Sequence, residues 1–378
     1  MTASPINPFR PTAGKRPPVL VGRDRVFQDF QDGLDYGPGA PGRLMRITGT
    51  RGTGKTVVLT ELGAMARERG WTVLDETASP GLGERLLDRL VSPTRWSEAS
   101  VKPSVLGVSL GEVKLRPERL PLTLREALGT KLDALEKKGC GILITIDEVQ
   151  GGSRDELRAL ATAFQHLVRE DRSVALVLAG LPNTVSDLLN DDVLTFLRRA
   201  TPEALGKLGD FDVTWALGRS FTSSGMAVAS DELAKMVQAA KGYPYMVQLV
   251  GYHVWQTTRR RLDGTGTVTG DDVEQGVSVA VDELARNVVE PVLSELSPTA
   301  VAFLLAMAHE PEEAPIGAVA ARMGKTQNFA NTYRTRLLDA CVIEPAGRGR
   351  VAFQIPYLRE YLTEHADRVA LRAGLDIE

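Results

Sequence analysis

Cysteine and histidine are scarce in this chain, and neither sign of charge dominates. Its 378 residues include two Cys, Cys140 and Cys341. Two cysteines exclude a disulfide framework or a four-cysteine zinc site and read as reduced thiols in or near the core. The four His, His166, His253, His309 and His365, lack metal-ligand spacing, which argues against a histidine metal centre or catalytic triad. Lys and Arg number 45 against 48 Asp and Glu, a formal net charge of −3, so no global basic field exists to hold nucleic acid or a membrane surface. Any such contact must be local. No apolar run approaches the roughly 18 to 20 residues of a membrane span, and the opening stretch has no hydrophobic signal core. The expected location is the cytoplasm, with no membrane partner.

The length predicts two to three domains, and 43% hydrophobic with 25% charged residues is ordinary for a soluble globular chain. Residues 1–18 are rich in Pro and small polar residues, with Lys15 and Arg16 among them, and read as a flexible extended arm outside the core. Across 19–200, strand-like apolar runs at 44–48, 72–74, 141–146 and 174–179 alternate with amphipathic helical patterns at 57–69, 82–90, 124–137 and 156–169. That alternation predicts an α/β domain with a mainly parallel sheet covered by helices. Residues 92–121 alternate at period two in their middle and suggest an inserted hairpin without a chemical role. An all-helical second domain is expected over 201–292, with Ser230 and Thr269 as N-caps and Asp271 and Asp272 near a helix start. Residues 293–365 pattern as three short helices followed by two β-like stretches around Pro345-Ala346-Gly347-Arg348-Gly349, the order of a winged helix-turn-helix, and 366–378 are left as a tail.

The strongest motif is Gly49-Thr50-Arg51-Gly52-Thr53-Gly54-Lys55-Thr56, a complete G-x-x-x-x-G-K-[ST] between a strand candidate and a helical pattern. Glycines let successive backbone N–H groups point into one concavity, and the helix start adds partial positive charge, so the segment suits phosphate oxygens. Lys55 is expected to reach the β- and γ-phosphates and the Thr56 hydroxyl to sit on Mg²⁺, with Val57 following in the helix. Downstream, an apolar run ends in Asp147-Glu148. Asp147 is assigned to the metal through its water shell and Glu148 to activation of the attacking water. Val21-Gly22-Arg23 precedes a helical pattern just upstream of the loop, and Arg198-Arg199 could supply a guanidinium to a γ-phosphate, within the chain or across a subunit interface.

Together these residues resemble the AAA+ and STAND P-loop ATPases, especially the group related to the origin-recognition and archaeal initiator ATPases, over most of the chain. The resemblance implies a P-loop NTPase domain of AAA+ type, a helical lid and a C-terminal winged helix, with ATP or ADP and Mg²⁺ as cofactors. Val21, Gly22 and Arg23 are similar to a Gly-Arg-acid box beside the adenine, and Gly242-Tyr243-Pro244 to the G-x-P motif of STAND lids, whose Pro packs near the nucleotide. Two departures stand out. The polar residue expected at the end of the strand after Asp147 has only the late candidate Asn183, and the lid motif carries no sensor Arg. The implied behaviour is a slow, tightly nucleotide-bound switch, with an oligomer allowed in the ATP state.

The pattern over 314–352 places Ala330, Tyr333 and Leu337 on one inward helical stripe and Gln327, Asn328, Asn331 and Arg334 largely on the other side. With Arg348 and Arg350 on the wing, the segment holds six bases against two acids, a local excess of four positive charges. Amide and guanidinium groups so placed suit double-stranded DNA. The alternative is a signalling or defence switch whose winged helix and lid bind another protein.

Overall fold

The structure, a computed structural model, describes residues 6–12, 14–91, 123–190, 194–261 and 266–375. The expected hairpin at 92–121 lies outside the described residues. In the first domain, α1 (Asp24–Asp35) leads into β1 (Leu44–Gly49), α2 (Lys55–Glu68), β2 (Thr72–Thr77), α3 (Leu82–Val91) and α4 (Leu124–Glu136). There follow β3 (Ile142–Asp147), α5 (Arg154–Arg169), β4 (Val174–Gly180), α6 (Pro182–Leu189) and β5 (Thr201–Leu205). The five strands form one parallel sheet in the order β2-β3-β4-β1-β5. Side chains alternate along a strand, so β3 and β4 feed two cores at once. Ile142, Ile144, Ile146, Leu176 and Leu178 meet α3 to α6 on one face, and Leu143, Ala175, Val177 and Ala179 meet α1 and α2 on the other. Every residue of both strands is buried, which is why both read as unbroken apolar runs.

Two strands depart from the sequence expectation. β5 lies in the stretch assigned to the helical domain. It is a half-exposed edge strand containing Pro202 and Glu203, and an edge is where a proline without an N–H is tolerated. β2 runs three residues further than expected, through Asp75 and Glu76, because Arg67, Arg85 and Arg89 pair with those carboxylates at the sheet's other edge.

The helical domain begins at α7 (Asp210–Ser223) and continues through α8 (Ser230–Ala240), α9 (Pro244–Arg260) and α10 (Gly270–Leu284), then a π turn (Ala285–Val289) and α11 (Glu290–Glu295). Thr269 caps α10 in a reciprocal capping box with Asp272, as its sequence suggests, whereas the cap of α8 is Ala229 and Ser230 is its first helical residue. Val213, Phe221, Met236, Val250 and Val254 form the centre of this domain. The N-terminal arm joins it, against expectation. Phe9 is 2% exposed, its ring lies 5.1 Å from that of Phe221, and it packs where Gly251 leaves room on α9. Asn7 donates to the Tyr252 carbonyl, and the Arg10 backbone N–H donates to Gln248. The buried Phe9 ring and these two hydrogen bonds together hold residues 7–10 on the helical domain.

The C-terminal domain comprises α12 (Pro298–Ala308), β6 (Ala314–Pro315), α13 (Ile316–Arg322), α14 (Gln327–Asp339), β7 (Ile343–Pro345), β8 (Arg350–Phe353), α15 (Leu358–Glu364) and α16 (Ala366–Arg372). β6, β8 and β7 make a small antiparallel sheet beside the helices. Ala330 and Leu337 of α14 are buried and Tyr333 is half-buried, the inward stripe read from the sequence. Both borders of this domain shift. Val289 and Val292 already belong to its core, and α16 replaces part of the expected tail because Val369 packs into that same core. No helix among the described residues is long and apolar enough to cross a membrane.

Candidate nucleotide site

At the carboxyl end of β1 the chain turns through residues 50–54 and starts α2, and Gly52 and Gly54 adopt left-handed backbone that a side chain disfavours. Lys55 is 5% exposed and its ammonium donates to the carbonyls of Gly49 (3.0 Å) and Thr50 (3.1 Å). Burial lowers its pKa from the ordinary lysine value, opposed by the charges of Glu148 and Asp147. The Thr56 hydroxyl donates to Asp147 Oδ2 at 2.5 Å, fastening the first turn of α2 to the end of β3. Asp147 Oδ1 accepts the Glu148 N–H at 2.9 Å. Glu148 then takes a left-handed backbone (φ 52°), and its carboxylate accepts from the Gln150 amide. Gln150 Oε1 in turn accepts from Leu181 N–H (3.4 Å) just past β4, joining the ends of neighbouring strands.

A cavity of about 810 Å³ opens over this loop, walled by residues 51–58, Glu148, Val21, Arg23 and, from the helical domain, Pro244, Tyr245 and Gln248. That volume falls within the range of small-molecule sites. Arg23 gathers three segments, its guanidinium donating to Gly206 (2.8 Å), Gly22 (3.0 Å) and Thr53 (3.4 Å) carbonyls, and burial lowers its pKa despite Asp212. Gly22 (φ 66°) passes so close to Leu208 and Asp212 that a Cβ would press on both. Thr56 also borders a second cavity of about 380 Å³, where Asp147 appears with Thr77, Arg67 and Arg85. The Thr56–Asp147 pair thus reaches both spaces, the first through Thr56 and the second through both residues. Its hydroxyl and carboxylate oxygens are the hard donors that Mg²⁺ takes while keeping several waters. Among the described residues no cluster of three or more His, Cys, Asp or Glu is placed to hold a metal.

The structure thus brings together the box at residues 21–23, the loop at 49–57, Asp147, Glu148 and Pro244. Arg198 and Arg199 stay apart. They precede Thr201, which pairs with Met45 at the opposite end of β1, roughly 13 Å of strand from the loop, and Arg198 donates to the Leu189 carbonyl (2.7 Å). Neither residue lines the cavity. Asn183 is held by Asp339 at 2.6 Å, a residue of the C-terminal domain.

Sequence reasoning missed part of the wall. Arg10, Thr12, Gly14, Lys15 and Pro17 of the arm line the cavity, as do Glu283, Arg286 and Asn287 around the π turn. Gly14 lies against Thr56, and Arg16 pairs with Glu61 of α2 at 2.9 Å. Lys15 and Arg16 were visible as the arm's bases, but nothing local in the sequence points them toward the loop. Arg286 brings a guanidinium from the helical domain that the Gly-Tyr-Pro segment lacks. On the C-terminal domain Gln327, Asn328, Asn331, Arg348 and Arg350 are exposed. Arg334 is half-buried with Nε lacking a hydrogen-bond partner, and Arg350 lies 3.8 Å from Glu313.

Residues 19–178 match the family model of the AAA ATPase domain, and residues 286–362 match a domain of unknown function, DUF8462. No curated protein matches the chain in sequence. Among solved structures, the ORC2 protein of Aeropyrum pernix, described as ADPNP-ADP complexes, superposes with a TM-score of 0.65 at 15% identity, covering 96% of this chain and 97% of that one. The Walker-type ATPase of Pyrococcus abyssi superposes with a TM-score of 0.66 at 18% identity, covering 92% and 97%. Residues 19–178 thus match the AAA ATPase domain model, and the chain as a whole shares its fold with the ORC2 protein and the Walker-type ATPase.

Proposed function

We propose that this chain binds ATP and ADP in the 810 Å³ cavity, hydrolyses ATP slowly and uses the difference as a switch. The observation that carries the reading is the 2.5 Å bond from Thr56 to Asp147, which sets a phosphate loop and an acid-ended strand in one site with Lys55 buried beside them. Loop N–H groups and Lys55 hold phosphate oxygens, while Arg23 and Pro244 border the remainder of the ligand. Thr56 and Asp147 would hold Mg²⁺, whose chemistry when bound is to neutralise phosphate charge. Glu148 orients water toward the terminal phosphate, with the Gln150 amide fixing its carboxylate. Titration of the purified protein with ATP and with ADP tests this reading: both bind the wild type, and Lys55→Ala loses both. Undiminished binding by Lys55→Ala refutes the assignment.

The C-terminal domain, read as a winged helix, is the output. Exposed Gln327, Asn328, Asn331, Arg348 and Arg350, with Arg334 half-buried beside them, favour contact with double-stranded DNA. Phe211 and Trp215 favour the alternative of a protein partner. They sit one turn apart on α7 and are 82% and 57% exposed. Cytoplasmic residence and assembly in the ATP state remain part of the proposal.

A further inference from the structure

One turn touches both the phosphate loop and the C-terminal domain. Between α8 and α9, Lys241 (φ 47°) and Gly242 (φ 67°) adopt consecutive left-handed conformations, and Tyr243 follows at the start of α9. Tyr243 is buried, and its hydroxyl donates to the carbonyl of Arg51 in the loop. The next residue, Gly52, has no room for a Cβ because the Tyr243 hydroxyl occupies that position. Gly242 is fixed from the side, its carbonyl accepting the Leu208 N–H at 2.7 Å. Lys241 points the other way. Its ammonium lies 2.8 Å from Glu360 Oε1 and 3.9 Å from the centre of the Tyr357 ring, both in the C-terminal domain. Tyr357 is also left-handed (φ 62°), and its hydroxyl donates to the Ala239 carbonyl at 2.8 Å. A left-handed residue with a side chain is disfavoured unless its surroundings fix it, and here two such residues, Lys241 and Tyr357, fix each other across the domain boundary.

We propose that the Lys241-Gly242-Tyr243 turn couples nucleotide binding to the C-terminal domain, with Tyr243 positioning the phosphate loop and Lys241 transmitting that position through Glu360 and Tyr357. The proposal rests on the nucleotide reading above. Coupling of this kind is reciprocal, so loosening the C-terminal contact must change affinity at a cavity that neither Lys241 nor Glu360 lines. The test is calorimetric titration of full-length protein with ADP and with a non-hydrolysable ATP analogue. Lys241→Glu, set against Glu360, is expected to weaken nucleotide binding by about three- to tenfold. The exchanged pair, Lys241→Glu with Glu360→Lys, restores affinity to within about twofold. In a Tyr243→Phe background, which keeps the ring and removes its donor, Lys241→Glu adds less than about twofold. Should Lys241→Glu fold poorly by circular dichroism, Glu360→Lys alone carries the test. Folded variants with wild-type affinity, or effects that add in full to Tyr243→Phe, overturn the coupling and leave the nucleotide reading intact. A wild type that binds neither nucleotide overturns both.

Discussion

Glu203 shows how burial and a neighbour of like charge combine at one residue. It sits on edge strand β5 with Oε1 buried and unbonded, and its pKa is raised, first by desolvation and then by the charge of Asp29. A carboxyl whose folded pKa exceeds its unfolded value opposes folding once ionised, so the penalty is absent in acid and sets in as pH rises through the gap between the two. Glu203→Gln should therefore raise the melting temperature at pH 7 and leave it unchanged near pH 3. An equal effect at both pH values would assign the change to packing instead. No sequence pattern signals this residue, because the partners that make it unfavourable arrive from α1. Gly49, Lys55, Thr56 and Asp147 are the opposite case. The loop that carries the first three is legible as a motif, and the structure sets Lys55 on the Gly49 carbonyl and Thr56 on Asp147.

Among elements, those buried on both faces were the legible ones. β3 and β4 announce themselves as apolar runs, whereas β5 hides behind Pro202 and Glu203, since an edge strand needs neither period-two apolarity nor a full set of N–H donors. The arm was misread for a related reason. Its buried ring, Phe9, carries no periodic signal, yet it fills the gap left by Gly251 against Phe221. Phe9→Ala should cost about 3 to 5 kcal/mol of stability, the range for a buried ring cut to a methyl group, as measured by urea unfolding. Because Arg10, Thr12, Gly14, Lys15 and Pro17 line the same cavity, ATP affinity should fall with it. A variant with unchanged stability would mean that the arm merely rests on the helical domain.

At the scale of the whole molecule, a net charge of −3 conceals a C-terminal segment with four excess positive charges. Duplex DNA affinity should fall as salt rises, and replacing Arg334, Arg348 and Arg350 with Ala should weaken it and flatten the salt slope. Affinity that ignores both salt and the substitutions favours the protein-partner reading. The same domain also reaches the rest of the chain, through Asp339 to Asn183 of α6, Glu344 to Lys207 after β5 and Glu360 to Lys241 of the helical domain. None of these contacts was legible in the sequence, for each joins residues more than a hundred positions apart whose meeting depends on how complete domains pack.

We propose that Lys55, Thr56, Asp147 and Glu148 form one site that holds ATP and cleaves it slowly. It is tested most directly by incubating wild-type and Glu148→Gln protein with ATP, removing free nucleotide and identifying what each retains. The wild type should retain ADP and Glu148→Gln intact ATP. Retention of ADP by both proteins, or of no nucleotide by either, would contradict it.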